Sequence, residues 1–384
     1  MDDQKITLAG MPLTKALNQS FIAFFKEAYK VARSVKGYTY PFLRHFLWQG
    51  QAARKRAVEE KKGVHVPPFM IYSVTRKCNL MCQGCYSRQL HNHEPEDELD
   101  LEKSSSLIKE AQDLGVSTIL LAGGEPLTKK GLIALTCRFP RIIFPVFTNG
   151  LLINDFLALE FKKRHNVFPI ISIEGENNRT DARRGAGVHS HIMNVFKRLK
   201  EKHILFGASI TVTGENFEDV TKEAFVRDLK DKGARIIFYI EYIPCAENTG
   251  HLVLTAQQRT LLTQRLMLLR KNMGILFIAF PGDEDRFGGC LAAGRGFIHV
   301  TSNGRVEPCP FSPYSDVTWS EKVSLRETLK SPLLKAIREN HGRLSEHQGG
   351  CALWENREWV EATMKANEGK EVSQPKAMIN STSK

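Results

Sequence analysis

Between residues 69 and 281 the chain alternates short apolar runs with longer stretches whose apolar residues recur every three or four positions. The short runs are rich in β-branched and aromatic residues, which favours buried strands, and the longer stretches have helical periodicity. We predict strands near residues 69–75, 117–122, 142–147, 168–174, 205–213, 235–243 and 275–280. Helices are predicted near residues 101–114, 128–137, 153–164, 190–203, 217–230 and 254–273.

The order of these elements predicts a parallel sheet. Strands that are buried on both faces and separated by helices are joined by crossover connections, as parallel neighbours require. Six or seven such units over residues 69–281 fit an incomplete barrel better than a closed eight-unit barrel, which needs about 250 residues. The expected fold class is therefore α/β, a partial (βα)6 TIM-type barrel over residues 68–284. Functional residues are expected at the carboxyl ends of its strands.

The segment before the barrel, residues 1–67, is predicted to be a basic amphipathic helical extension. It holds 12 of the 54 Lys and Arg residues and 5 of the 42 Asp and Glu residues, so +7 of the net charge of +12 lies there. Apolar residues follow a helical stripe at Leu17, Phe21, Phe24, Ala28 and Val31.

Three roles compete for this extension. Its apolar stripe can pack on the barrel, which we favour, or it can bind an anionic membrane surface. Nucleic-acid binding by residues 54–62 is not expected, because this basic run lacks the interleaved aromatic residues of a stacking platform.

The segment after the barrel is predicted to be a small α+β extension over residues 285–366. Asn303-Gly304 lies between two short extended runs, which is typical of a β-hairpin. Helical stretches follow near 322–339 and 351–365, and residues 367–384 are predicted to be a disordered tail.

The compartment is predicted to be the cytoplasm. No apolar run reaches the roughly 18 residues of a membrane span. The acidic start Met1-Asp2-Asp3 does not fit a signal peptide. Cytosolic thiols are kept reduced, so clustered cysteines there more often bind metal or take part in chemistry than form disulfides.

Three cysteines follow the first predicted strand with the spacing C-x3-C-x2-C, at Cys78, Cys82 and Cys85. Three thiolates leave a four-ligand zinc site incomplete, and structural zinc sites usually pair their cysteines as two C-x2-C knuckles. An iron-sulfur cluster with one open iron fits better, with zinc as the alternative.

This loop resembles the signature of the radical S-adenosylmethionine (SAM) superfamily. The resemblance implies a 4Fe-4S cluster on the three cysteines, whose open iron chelates the amino and carboxylate groups of SAM. It also implies an oxidoreductase-type reaction, in which an electron from the cluster splits SAM into methionine and a 5′-deoxyadenosyl radical that abstracts hydrogen from the substrate. A reductant protein such as flavodoxin or ferredoxin would supply the electron.

Two further strand ends resemble cofactor-binding elements of the same family. Gly123, Gly124 and Glu125 end the second predicted strand and resemble its GGE element, which receives the ammonium of SAM. Asn149 lies in the segment Phe147–Gly150, which resembles the T-N-G element that lines the cofactor pocket; a plain turn is the alternative.

The fourth strand end carries the last part of the resemblance. Ser172 and Glu174 alternate with apolar residues, so they point to one face, where the resemblance implies contacts with the ribose hydroxyls. Arg184 follows in an R-G element and would pair with the methionine carboxylate of SAM; a solvated arginine is the alternative.

A second set of cysteines lies in the C-terminal extension, at Cys290, Cys309 and Cys351. It resembles a truncated SPASM or twitch extension, which implies one auxiliary 4Fe-4S cluster with an open iron or a ligand from outside the set. Cys245, at a predicted strand end, is a candidate for that ligand, but a loop thiol without such a role is the favoured interpretation. A zinc site and structural thiols are the alternatives.

Several other residues have chemistry that the resemblance does not assign. Cys137 is predicted to be a buried apolar residue. Either Glu241 or Tyr242 can exchange a proton with a substrate, but strand alternation lets only one of them face the barrel interior. The pair His91 and His93 has metal-ligand spacing, although the acidic residues after it favour a hydrated loop. His299 is expected beside the auxiliary cluster.

The substrate class is the least determined property. Radical modification of a peptide or protein side chain is the first hypothesis, because relatives with such extensions commonly do this. The second is radical chemistry on a small or lipid-like metabolite at a membrane surface. A non-catalytic iron-sulfur or zinc protein is the alternative of another class.

Overall fold

The computed structural model describes residues 25–91, 97–280, 283, 289–344 and 351–367. The first three positions of the predicted N-terminal stripe, His93 and almost all of the predicted tail lie outside the described residues.

One sheet runs through the described chain in the order β7-β6-β5-β4-β3-β2-β1-β8-β9. Its strands are β1 (Phe69–Thr75), β2 (Thr118–Gly123), β3 (Phe144–Thr148), β4 (Val167–Ser172), β5 (Gly207–Val212), β6 (Ile236–Glu241), β7 (Leu276–Phe280), β8 (Phe297–Val300) and β9 (Val306–Glu307). The seven strands from β1 to β7 are consecutive parallel neighbours. The predicted partial TIM-type barrel is confirmed.

Helices connect and flank these strands. They are α1 (residues 25–34), α2 (Thr39–Lys61), α3 (Tyr86–His91), α4 (Leu101–Leu114), α5 (Leu132–Thr136), α6 (Asp155–Lys162), α7 (Asn177–Arg184), α8 (Val188–Glu201), α9 (Phe217–Val220), α10 (Glu223–Asp231), α11 (Ala256–Met273), α12 (Leu325–Thr328), α13 (Pro332–Glu339), α14 (Ala352–Glu355) and α15 (Arg357–Asn367). In α4, for example, Asp100 accepts a hydrogen bond from Lys103 N and Gly115 ends the helix at φ 103°.

Three predicted helical stretches are divided in the structure, and the stretch 351–365 forms α14 and α15. The stretch 217–230 forms α9 and α10. The stretch 322–339 forms α12 and α13, because Pro332 begins a new helix whose cap is the Ser331 side chain. No helix in the described ranges has the length and apolarity needed to cross a bilayer.

The described part of the N-terminal segment packs into the barrel. Val31, Ala32 and Tyr38 are buried. They share an apolar cluster with side chains of the barrel strands that point away from the surrounding helices. The strand residues in this cluster include Phe168, Ile170, Ile236, Phe238 and Leu276. The Tyr38 hydroxyl accepts a hydrogen bond from Leu205 N at 3.1 Å. The favoured role of this segment, packing on the barrel, therefore agrees with the structure.

The predicted hairpin forms at the other edge of the sheet. β8 and β9 pair antiparallel, with His299 opposite Glu307. β8 also pairs in parallel with β1, with Ile71 opposite His299. This pairing was not predicted, and it places the C-terminal segment directly beside the strand that leads to Cys78.

Candidate active site

The first three cysteines lie in the segment from Arg76 to Cys85, called here the cysteine loop, between β1 and α3. Cys78 is exposed, and Cys82 and Cys85 are partly buried. The loop leaves the carboxyl end of β1, as the sequence predicts for a functional element of a parallel barrel.

One half of the cysteine loop is tied to the end of β3, and the other half is tied to α7. Asn149 Nδ2 donates to Asn79 Oδ1 at 2.7 Å, which joins the loop to the end of β3. Gln83 N donates to Arg183 O at 2.9 Å, and Arg183 Nε donates to Gln83 O at 3.1 Å. Sequence reasoning found Asn149 but missed the other three residues, since their partners are distant along the chain.

Gly123 and Gly124 bring the end of β2 against the backbone that precedes Cys78. A Cβ at Gly123 would lie 2.3 Å from Thr75 O, and one at Gly124 would lie 2.4 Å from Lys77 O. Gly124 N donates to Thr75 O at 2.7 Å. The glycines are required for this close backbone approach, which fixes the start of the cysteine loop.

Glu125 is almost completely buried and holds two strand ends together. Its carboxylate accepts hydrogen bonds from Leu127 N at 3.0 Å, Thr148 Oγ1 at 2.8 Å and Asn149 N at 2.7 Å. Burial raises the pKa of Glu125, and these hydrogen bonds partly oppose the rise. The side chain thus braces the end of β2 against the end of β3.

Glu174 is buried in an ion-pair network with two arginines of α7. Arg184 Nε donates to Oε1 at 3.0 Å, and Arg183 Nη1 lies 3.1 Å from Oε2. Thr211 N, on β5, also donates to Oε2 at 3.1 Å. Glu174 therefore anchors the arginines that contact the cysteine loop, while Ser172, at the end of β4, is half-buried.

Arg184 is also the charged group beside the thiols. Its Nη1 lies 3.9 Å from Cys82 Sγ. Burial opposes the charge of this guanidinium, but Glu174 and the thiols of Cys82 and Cys85 favour it, so the pKa of Arg184 is raised. The Arg184 side chain is therefore held in a largely buried ion pair with Glu174, whereas the alternative interpretation expected a solvated arginine.

Burial raises the pKa of the Cys78 and Cys82 thiols, and at Cys82 the positive charge of Arg184 partly opposes this rise. Three soft sulfur ligands in one loop, with a cation beside them, suit an anionic iron-sulfur cluster. Metal binding requires thiolates, so filling such a site would release protons.

The end of β6 faces the same loop through Tyr242. A Cβ at Gly84 would lie 2.6 Å from Tyr242 Oη, so the phenol fills the space that a side chain at 84 would need. Glu241 points elsewhere and pairs with Arg259 Nε at 2.5 Å. Of the two residues, Tyr242 is therefore the one beside the cysteines.

The C-terminal cysteines, Cys290, Cys309 and Cys351, are half-buried to buried. Ala293 N donates to Pro308 O at 3.0 Å, which brings the segment of Cys290 to that of Cys309.

The Tyr86 ring links the cysteine loop to the C-terminal segment, because it lies 4.9 Å from the ring of Phe311. Burial raises the pKa of Tyr86, and the charges of Cys85, Cys309 and Cys245 add to the rise. At Cys245 itself, burial first and then Cys85 raise the pKa to about 11. Cys85 thus acts electrostatically on both Tyr86 and Cys245.

Cys137 is exposed, so its predicted burial is wrong. Cys137 directly follows the last residue of α5. Its side chain points outward, whereas Leu135 and Thr136 are buried. Arg164 Nε donates to Cys137 Sγ at 2.5 Å.

Residues 72–225, which include the cysteine loop and the strand ends that brace it, match the family model described as the Radical SAM superfamily. This part of the chain is a radical SAM domain. The relatives named below are enzymes.

Two curated relatives and one solved structure show the range of similar proteins. Fe-coproporphyrin III synthase of Methanosarcina barkeri (strain Fusaro / DSM 804) is 30% identical over 177 residues, which are 45% of this chain and 43% of that protein. AdoMet-dependent heme synthase of the same organism is 25% identical over 277 residues, 65% of this chain and 78% of that protein. Streptococcus suis SuiB bound to precursor peptide SuiA superposes with a TM-score of 0.60 at 18% identity, over 75% of this chain and 71% of that one. The chain thus spans less than half of the first relative, and the likeness to SuiB concerns the fold.

Proposed function

We propose that Cys78, Cys82 and Cys85 hold a 4Fe-4S cluster and that this enzyme cleaves SAM reductively. When bound, the cluster supplies the electron that splits SAM, and the 5′-deoxyadenosyl radical so formed takes a hydrogen atom from the substrate. The observation that carries this proposal is the bracing of the three-thiol loop at both halves, by Asn149 and by Arg183.

The bracing residues have positioning roles in this proposal. The carboxylates of Glu125 and Glu174 are occupied by donors of the protein, so they fix strand ends and the α7 arginines rather than offer free oxygens. The Arg184 guanidinium favours thiolate at Cys82 and supplies positive charge where the methionine carboxylate of SAM would lie. Ser172 remains the candidate contact for the ribose hydroxyls.

We further propose one auxiliary 4Fe-4S cluster on the C-terminal cysteines, within an extension that spans residues 285–366. Cys245 and Cys309 both raise the pKa of Tyr86 electrostatically, which supports Cys245 as the ligand from outside the set. An auxiliary cluster here would lie close to the cysteine loop, because Tyr86, the residue after Cys85, packs on Phe311, two residues after Cys309.

A reductant protein such as flavodoxin or ferredoxin is the proposed partner. The cysteine loop and α3 carry Arg76, Lys77 and Arg88 and no acidic residue. A positive surface beside an exposed loop suits an acidic protein and speeds its association.

Two substrate classes stand in this proposal. A peptide or protein side chain follows from the resemblance to enzymes with cysteine-bearing extensions, and SuiB, bound to its precursor peptide, shares the fold. A tetrapyrrole is the second class, and the observation that favours it is the alignment with a heme synthase over 78% of that relative.

The test is an anaerobic assay of the reconstituted and reduced full chain with SAM. We expect 5′-deoxyadenosine above the amount formed without protein, and a further increase with the true substrate. Fe-coproporphyrin III and a cell-extract peptide fraction serve as the two substrate arms, each read by mass spectrometry. Formation of no 5′-deoxyadenosine by a chain that holds iron at the cysteine loop would overturn the proposal.

A further inference from the structure

A second group of metal-ligating side chains lies where β8 and β9 join β1. His91, His299 and Glu307 are buried, with 5%, 0% and 0% of their surface exposed. One ligand atom of each lies within 4.8 Å of the others. We propose that these three side chains bind one divalent transition-metal ion, for which Zn²⁺ is the probe.

The two imidazoles are oriented as metal ligands usually are. His91 Nε2 lies 3.0 Å from Pro310 O, and because a carbonyl only accepts, this nitrogen carries the proton. His299 Nε2 lies 2.8 Å from Ser73 Oγ. In metal sites the second ring nitrogen is typically held in this way by a carbonyl or hydroxyl, which fixes the ring and its tautomer.

Both rings direct Nδ1 at the same carboxylate oxygen. Glu307 Oε2 lies 2.8 Å from His299 Nδ1 and 4.0 Å from His91 Nδ1. Bonds of 2.0 to 2.1 Å to a tetrahedral Zn²⁺ would place ligand atoms about 3.3 Å apart. The two observed distances bracket this value, so small side-chain shifts would seat the ion.

One oxygen of the Glu307 carboxylate lacks a hydrogen-bond donor among the described residues. Glu307 Oε1 is buried and makes no hydrogen bond to any described residue, with Arg305 Nη2 at 3.9 Å. A buried carboxylate oxygen without a hydrogen bond is costly. A bound dication would offset this cost.

A small polar cavity adjoins the group. Its volume is about 10 Å³ and its lining includes Ser73, His91 and Ser302. The Ser302 hydroxyl is buried and makes no hydrogen bond to any residue in the described ranges. The cavity has room for about one water molecule, which can serve as the fourth ligand.

The proposed site connects the two cysteine regions. His91 ends the helix that starts directly after Cys85, and Glu307 ends the strand that runs up to the Cys309 turn. A metal ion there would hold α3 against the hairpin. Zinc binding at this site does not depend on SAM cleavage, so its test can fail while the proposed function holds, and the reverse.

The test uses the full chain, reconstituted with iron and sulfide, equilibrated with Zn²⁺ and desalted. We expect about one zinc per chain, and X-ray absorption at the zinc edge with only nitrogen and oxygen ligands at about 2.0 to 2.1 Å. Absence of bound zinc would overturn the proposal. Sulfur ligands at about 2.3 Å would also overturn it, because they would show that the zinc is bound by cysteines.

Variants locate the site. His299→Gln and Glu307→Gln are expected to lower bound zinc at least about tenfold at unchanged iron content. The matched control is His341→Gln, which removes a C-terminal histidine whose Nδ1 contacts Arg338 O instead of this group. Equal zinc in all three variants contradicts the assignment.

Discussion

The cysteine loop and the C-terminal cysteines hold their thiols in opposite ways. In the loop, three thiols lie within one short segment that stays partly open to solvent, and polar side chains from β3 and α7 brace it. The C-terminal cysteines come from three separate segments, and two of them are buried within the apolar core.

This difference indicates different tasks. An open loop on rigid supports can admit a cofactor and a reductant to its thiols. Thiols enclosed by apolar packing are shielded from both, so a cluster there is suited to stability or electron transfer. Four experiments test whether the two thiol regions differ in this way, and they follow in order of decreasing effect.

Replacing a loop thiol has the largest effect. Cys82→Ser is expected to lower 5′-deoxyadenosine formation by about 1,000-fold or more, a loss of about 4 kcal/mol in transition-state stabilisation. The thiol is a proposed cluster ligand and the closest to Arg184. Turnover within about tenfold of the unaltered chain would remove the loop from the reaction.

Weakening a brace has a smaller effect. Glu174→Gln removes the charge that anchors Arg183 and Arg184, and 5′-deoxyadenosine formation should fall about 10- to 100-fold, as for other residues that orient metal ligands.

The matched control for this brace is Glu102→Gln, which breaks an exposed ion pair with Arg138. Exposed pairs contribute little, so activity should not change. An equal fall in both variants would show that Glu174 acts only through general stability.

Replacing a C-terminal thiol should separate the two regions. Cys309→Ser is expected to lower iron from about eight to about four per chain, while 5′-deoxyadenosine formed without substrate stays within about tenfold. Iron that remains at about eight would argue against an auxiliary cluster on this residue.

The smallest effect concerns pH. Burial raises the pKa of the Cys78 and Cys82 thiols above the usual thiol value of about 8.5. The rate at which these thiols are alkylated in the metal-free chain should therefore still increase with pH above pH 8.5. Arg184→Gln should slow Cys82 further, because it removes a positive charge that lowers the pKa of this thiol. A rate that levels off below about pH 8.5 contradicts the expected shift.

The sequence was sufficient for the barrel and for the loop, because both depend on local patterns. Alternation of apolar runs and helical stretches locates β1 to β7. The spacing of Cys78, Cys82 and Cys85 falls within one loop, and the glycines at 123 and 124 mark a strand end. In each case the signal lies within a few neighbouring residues.

Contacts between distant segments could not be predicted in this way. Asn79 and Asn149 meet only because β1 and β3 end at the same edge of the barrel. His91, His299 and Glu307 meet only because β8 adds to β1, a pairing that no local pattern indicates. The outward position of Cys137 depends on where α5 ends.

Binding of SAM to a cluster at the cysteine loop is tested most directly by electron-nuclear double resonance on the reduced full chain with SAM labelled with ¹⁵N at its amino group. We expect a coupling between the cluster and the labelled nitrogen, retained in Cys309→Ser and lost in Cys82→Ser. A reduced cluster at the cysteine loop that shows no such coupling in the unaltered chain, with SAM in excess, would contradict this expectation.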